Sequence, residues 1–316
     1  MRVSMQESTA TLRTGRGLSP GAASSAARPA ATASIRSALL SLIAAKANRV
    51  RGVELEGRHI VITGAAGGIG RAFARRFSQE RPSALTLADR DFEGARAIAE
   101  EVGGLAVELD AGSEPSVLAL IETATEANGP IDIFISNAGV PGALGGPEAT
   151  DEVWDEAWRV NVMAHVWAAR ALLPEMVDRG EGYLINTASA AGLLTQVSSL
   201  VYSVTKHAAV ALAEWLSIEY AEQGVRVSCI CPQGVRTPML ELAMTDAAGA
   251  AALASGGLIE PEDAADAVVE GIRAERTLIL THENVAGFMA LKASDPERWL
   301  RGMRRIVRDA RTEPAP

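Results

Sequence analysis

The stretch His59-Ile60-Val61-Ile62-Thr63-Gly64-Ala65-Ala66-Gly67-Gly68-Ile69-Gly70 decides how the rest of the chain is read. Residues 59–63 form a short β-branched run of strand length. A glycine-rich turn follows, and Arg71-Ala72-Phe73-Ala74-Arg75-Arg76-Phe77 then continues as a helix. Glycines allow a tight turn and let the backbone approach a pyrophosphate with no Cβ in the way. The helix N-terminus behind them offers free N–H groups and the positive end of its dipole to phosphates. Any strand-to-helix corner can use glycines. Between a first strand and a first helix, however, this one points to a nucleotide, although its G-x-x-x-G-x-G spacing departs from the G-x-G-x-x-G fingerprint.

Outward from this turn the pattern repeats. Short apolar runs at 84–88, 105–109, 131–135, 183–187, 225–230 and 277–281 alternate with helical segments at 68–79, 91–102, 151–178 and 202–223. Such alternation predicts an α/β domain with a doubly wound, mainly parallel sheet covered on both faces. We expect a single Rossmann-type domain over 54–285, followed by a helical tail over 286–316. Residues 1–53 are rich in Ala, Ser, Arg and Gly, with Glu7 their only acid. That composition is read as a disordered extension, with an organelle transit peptide as the alternative and a short helix over Leu39–Ala47.

The 316 residues carry a formal charge of −9 and are 48% hydrophobic. This suits a sizeable core and disfavours nucleic acid, whose phosphates need a basic face. No run approaches the ~20 apolar residues of a membrane span. Cys229 and Cys231 lie one residue apart in an apolar run; their side chains are expected to diverge, so that they act as small core hydrophobes rather than a bridge. Reduced thiols fit a cytoplasmic setting. No His, Cys and carboxylate cluster has metal-ligand spacing, so no metal is implied. Lys206 is the only lysine between Glu54 and Leu291, in a chain that otherwise uses arginine.

Asp89 closes the second strand nineteen positions after Gly70. An acid there can accept hydrogen bonds from the adenosine ribose and repel a 2′-phosphate, which favours NAD over NADP. Arg90 beside it could tolerate that phosphate, and Asp89 could instead be a helix cap. Asp110 and Asn137-Ala138-Gly139 follow the third and fourth strands, at the sheet edge where ligands bind in open α/β folds. Asp110 could contact the adenine amino group, and Asn137 could also brace adjacent strands.

Tyr202 and Lys206 stand four apart, on one helix face and one turn from each other. A phenol titrates near pH 10. Proton transfer near neutrality therefore calls for a depressed value, which a nearby ammonium and a positive nicotinamide ring would both favour. Ser189 follows the strand 183–187 and could hydrogen-bond a substrate oxygen, although a serine there is commonly a turn residue. Asn161 sits inside a predicted helix, where it could disturb the backbone and hold a proton-relay water, or be an ordinary polar residue. His165 and His207 are read as packing or surface residues.

Taken together, Thr63–Gly70, Asp89, Asp110, Ser136-Asn137-Ala138-Gly139, Asn161, Ser189 and Tyr202-Ser203-Val204-Thr205-Lys206 resemble the short-chain dehydrogenase/reductase family, over residues 56–285. The resemblance implies an oxidoreductase that moves a hydride between NAD and a secondary alcohol or ketone. It implies a catalytic tetrad of Asn161, Ser189, Tyr202 and Lys206, with Tyr202 as acid/base and Lys206 on the nicotinamide ribose. Gly64, Gly68, Ile69 and Gly70 would hold the phosphates, while Val235 and Thr237, beside Pro232, would hold the carboxamide. Ser136 and Gln233 depart from the family pattern, and Gln233 lacks glycine's freedom at positive φ. Residues 239–258 fall at the substrate-covering loop, and their apolar, small character points to a hydrophobic small-molecule substrate, with an ordinary helix pair as the alternative. The amphipathic tail 295–311 could cover the pocket or reach a neighbouring subunit, with binding to an anionic membrane as a weaker option, and a homodimer or homotetramer is expected. The competing reading is a non-catalytic nucleotide sensor or scaffold on the same fold.

Overall fold

The computed structural model describes residues 53–312; the expectations for 1–52 and 313–316 lie outside the described residues. Seven parallel strands form the sheet in the order β3-β2-β1-β4-β5-β6-β9. They are β1 (His59–Thr63), β2 (Ala84–Asp89), β3 (Leu105–Glu108), β4 (Ile133–Ser136), β5 (Gly182–Thr187), β6 (Val225–Cys231) and β9 (Leu278–Leu280), while β7 (Gly234–Val235) and β8 (Leu258–Ile259) pair separately. Helices cover both faces, so the central strands bury every residue; β1 and β4 are buried throughout, which is why they read as unbroken apolar runs. One face packs under α1 (Gly68–Ser78), α2 (Phe92–Val102) and the helix Pro261–Arg273. The other packs under α3 (Glu114–Asn128), α5 (Ala164–Arg179) and α7 (Leu200–Tyr220).

The chain leaves β1 toward β2 on one side and reaches β4 on the other. The carboxyl ends of β1 and β4 therefore flank a crevice at the point where strand order reverses. The long segment predicted for 151–178 is interrupted. It is α4 (Asp151–Trp158), a π-helical turn at Arg159–Met163, and then α5. The segment 239–258 holds a pair of short helices, α8 (Pro238–Ala243) and α9 (Ala247–Ala254). Two further helices follow β9, α11 (Glu283–Ser294) and α12 (Pro296–Thr312). None of the described helices is long and apolar enough to cross a membrane.

The reading of the cysteines needs correction. Residues two apart on a strand share a face, and Cys229 and Cys231 both sit in the layer beneath α5 and α7, with Sγ atoms 3.8 Å apart. They are buried free thiols that face each other.

Candidate active site

The glycine-rich turn is shaped by close backbone approach. Gly64 has φ of 67°, and a Cβ there would fall 2.8 Å from the Ala138 Cα; at Gly70 a Cβ would overlap the Gly64 carbonyl oxygen. Helix α1 opens at Gly68 with Gly67 before it, no side-chain cap and no acid in its first turn. Its leading N–H groups therefore lack intrahelical partners and remain available to an anion.

Asp89 is fixed by this turn. One carboxylate oxygen accepts from the Ala66 N–H at 3.0 Å and the other from the Asp91 N–H at 3.0 Å. The cap of α2 is Asp91, which accepts from the Gly94 N–H at 3.0 Å. The cap alternative for Asp89 thus falls away. Arg90 is exposed and makes no ion pair among the described residues. Asp110 uses Oδ1 to accept from the Gly112 N–H at 2.9 Å.

Asn137 braces the two strands that flank the crevice. Its Nδ2 donates to the Thr63 carbonyl at 3.1 Å, and its own N–H donates to Thr63 Oγ1 at 2.9 Å. Asn161 lies in the π-helical turn and is fully buried. Its amide accepts from the Val140 N–H at 2.9 Å and donates to the Val140 carbonyl at 2.9 Å and to Thr205 Oγ1 at 3.1 Å. The expected disturbance of the helix is present, but the side chain is occupied in clamping the loop at Val140 and does not line the cavity.

Lys206 donates from Nζ to the Thr187 carbonyl at 2.9 Å, and the same nitrogen stands 5.6 Å from the Tyr202 ring centroid. Burial pulls its pKa down to about 8. Ser189 Oγ donates to the Pro232 carbonyl at 3.3 Å and accepts from the Ala191 N–H at 3.1 Å. The Tyr202 phenol feels opposing influences within the chain. The chain's own groups push it above its ordinary value, because burial outweighs the opposing Ser189 hydroxyl. His165 is buried, its Nδ1 2.7 Å from Ser136 Oγ, and burial followed by the Lys206 charge pulls it down to about 3. It is a neutral packing residue, and the half-buried His207 packs with Nδ1 2.7 Å from the Ser203 carbonyl.

A cavity of about 920 Å3 unites these groups. Its wall includes Gly64, Gly68, Ile69, Gly70, Asp89, Arg90, Asp110, Asn137, Ala138 and Gly139 on one side, with Ser189, Tyr202, Lys206, Pro232, Val235 and Thr237 on the other. Of the residues singled out from sequence, Asn161 alone stands behind the wall. Gln233 also lines the cavity, and its backbone is not left-handed, so glycine's freedom is not needed there. Sequence reasoning missed the roles of Val140 and Thr205, which hold Asn161, of Thr187, whose carbonyl accepts from Lys206, and of Thr63, which holds Asn137 and Ala138. A carbonyl that anchors Lys206 leaves no trace in residue type.

A parallel sheet with a glycine-rich turn at its switch point and a Tyr–Lys pair across the same cavity defines a nucleotide-dependent oxidoreductase. The chain matches the short chain dehydrogenase family over residues 58–248, and it belongs to that family. It is an oxidoreductase of the dehydrogenase/reductase type, acting on CH–OH groups. Among its relatives, 1-deoxy-11-beta-hydroxypentalenate dehydrogenase of Streptomyces exfoliatus is 34% identical over 240 residues, 73% of this chain and 86% of that protein. Human estradiol 17-beta-dehydrogenase 11 is 29% identical, over 79% of this chain and 83% of that one. A short-chain dehydrogenase/reductase from Burkholderia phymatum, solved in complex with NAD, superposes with a TM-score of 0.70 at 30% identity. The match covers 78% of this chain and 96% of that one.

Proposed function

We propose that the protein transfers a hydride between NAD and a hydrophobic secondary alcohol or ketone, with Tyr202 as the acid/base. The observation that carries this reading is the convergence of Ser189, Tyr202 and Lys206 on the cavity whose far wall is the glycine-rich turn.

The wall fits a dinucleotide: the positions where a Cβ would strike backbone, Gly64 and Gly70, are those where a pyrophosphate needs close approach. When bound, the nicotinamide accepts or supplies the hydride at the carbinol carbon. Tyr202 hands its phenolic proton to the carbonyl oxygen in reduction and takes the hydroxyl proton in oxidation. Ser189 turns its hydroxyl from a long bond with Pro232 toward the reacting oxygen and shares its charge. Lys206 uses one Nζ proton on Thr187, which leaves two donors for ribose hydroxyls, and its charge beside the ring favours the phenolate against the pull of burial.

Asp89 supports NAD over NADP, since its carboxylate is held in place by two backbone N–H groups and repels a 2′-phosphate. The relatives named for a pentalenate and an estradiol suit a hydrophobic substrate. Exposed Trp158 on α4 and Val204, Trp215 and Ile218 on α7 support a homo-oligomer formed through the helices that precede Asn161 and carry Tyr202. The facing thiols of Cys229 and Cys231 suit a reducing cytoplasm.

Fluorescence titration with NADH and NADPH, then turnover on a panel of secondary alcohols and ketones, tests the reading. NADH is expected to bind more tightly and to support reduction of apolar ketones. Tighter NADPH binding would overturn the cofactor choice, and binding without turnover across the panel would overturn the catalytic one.

A further inference from the structure

A second cavity, of about 980 Å3, adjoins the first. The two share Ser189, Gln196, Gln233 and Leu253, so they meet at the hydroxyl assigned to the reacting oxygen. The second is bounded by the segment 189–196, by α9 and by α11 and α12. Its inner surface is apolar, with Leu194, Phe288, Leu291, Trp299, Met303 and Ile306. Trp299, Met303 and Ile306 follow helical spacing and form the inward stripe of α12, which packs on α9 and α11.

The rim is of opposite character. Helix α12 carries six arginines against Glu297 and Asp309, an excess of positive charge in a chain whose formal charge is −9. Arg298, Arg301 and Arg305 repeat at i, i+3 and i+7 and line the cavity. No ion pair or side-chain hydrogen bond engages these three among the described residues, whereas Arg308 pairs with Asp309 at 3.0 Å. At the neck between the cavities, Gln233 Oε1 is buried without a partner.

We propose that the substrate is an amphipathic anion: an apolar alcohol or ketone that carries a terminal oxyanion at the end remote from the carbinol. This rests on the catalytic reading above and deepens it. The carbonyl oxygen lies at Ser189 and Tyr202, the chain passes Gln233 and fills the apolar cavity, and the oxyanion meets the guanidinium row. Planar guanidinium groups suit carboxylate and phosphate alike through paired N–H donors. A membrane surface fits less well, because the apolar stripe of α12 is turned inward onto α9 and α11 rather than outward to lipid.

The test compares 2-decanone, 9-oxodecanoate and 9-oxodecyl phosphate as substrates, with NADH or NADPH present. An oxyanion is expected to raise kcat/KM over the neutral ketone about tenfold, the size of one charge-assisted contact, mainly through KM and less so at high salt. Whichever oxyanion gains more identifies the head group as carboxylate or phosphate. The Arg298→Gln/Arg305→Gln variant should bring the ratio close to one, while Arg311→Gln, whose side chain does not line the cavity, should leave it intact. Equal kcat/KM for all three ketones in the unaltered protein would overturn the proposal. So would a preference that survives the double variant, or arginine-dependent binding to phosphatidylglycerol vesicles without any preference among the ketones. Calorimetric titration of decanoate against 1-decanol, without cofactor, reads the anion site separately. If no ketone is turned over yet decanoate binds more tightly and loses that advantage in the double variant, the catalytic reading fails and the anion site stands.

Discussion

On the side of the glycine-rich turn, the cavity wall is backbone set against backbone. Gly64 abuts Ala138, Gly70 abuts Gly64, Asn137 and Thr63 tie the strand ends together, and Asn161 clamps Val140 behind them. Over the rim beyond the catalytic residues, α8 and α9 present side chains over open space, with Met239 and Leu242 exposed, and over the adjoining second cavity α12 buries no residue fully. The first wall is fixed by the path of the chain and tolerates little change. The second is fixed only by the size and charge of its side chains, and can be altered without unfolding the domain.

The largest expected effect lies behind the rigid wall. His165 is held neutral with a folded pKa of about 3 against an ordinary 6.5. Between those values the unfolded chain binds a proton that the folded one refuses, so stability falls as pH drops from 6.5 toward 3, on the order of 5 kcal/mol. Urea unfolding from pH 7 to pH 4 should show a shallower acid loss in His165→Leu, and identical slopes would break the comparison. Next comes Gly70→Val. Its side chain meets the Gly64 carbonyl, and overpacking of ~1–3 kcal/mol should appear in the melting temperature together with loss of NADH binding.

Lys206→Met runs the other way. The folded pKa of about 8 lies below the ordinary 10.5 because burial disfavours the ammonium. That penalty is complete below pH 8 and disappears as pH climbs to 10.5. Allowing for the lost bond to Thr187, methionine should stabilise the protein by about 1–2 kcal/mol at pH 7, with the gain fading in titrations toward pH 10.5. The smallest effect belongs to the tolerant wall. Leu242→Ala should change stability by less than about 0.5 kcal/mol yet raise KM for apolar substrates several-fold. A large stability loss there would mean that the two walls do not differ as described.

The same contrast explains what could be read from the sequence. The glycine-rich turn, Asp89, Asn137 and the Tyr202–Lys206 pair are legible because each needs a particular residue type at a fixed spacing from a strand. The parallel sheet is legible because two-sided burial forces unbroken apolar runs such as His59–Thr63 and Ile133–Ser136. The clamp of Asn161 on Val140 is long-range and main-chain in part, and residue type does not encode it. The neighbouring cation beside the phenol can be seen in sequence, while the burial that opposes it cannot. The face shared by Cys229 and Cys231 follows from strand periodicity, and was legible to a stricter count.

The most direct measurement of the central claim is single-turnover reduction by Tyr202→Phe, paired with its NADH affinity. Removal of the phenolic hydroxyl takes away the proton donor and leaves the glycine-rich wall untouched. The account predicts NADH affinity within a few-fold of the unaltered protein and a rate lowered by about 10²–10⁴-fold, the usual worth of a positioned acid/base. Full turnover in that variant would contradict the role assigned to Tyr202 and, with it, the chemistry assigned to the cavity.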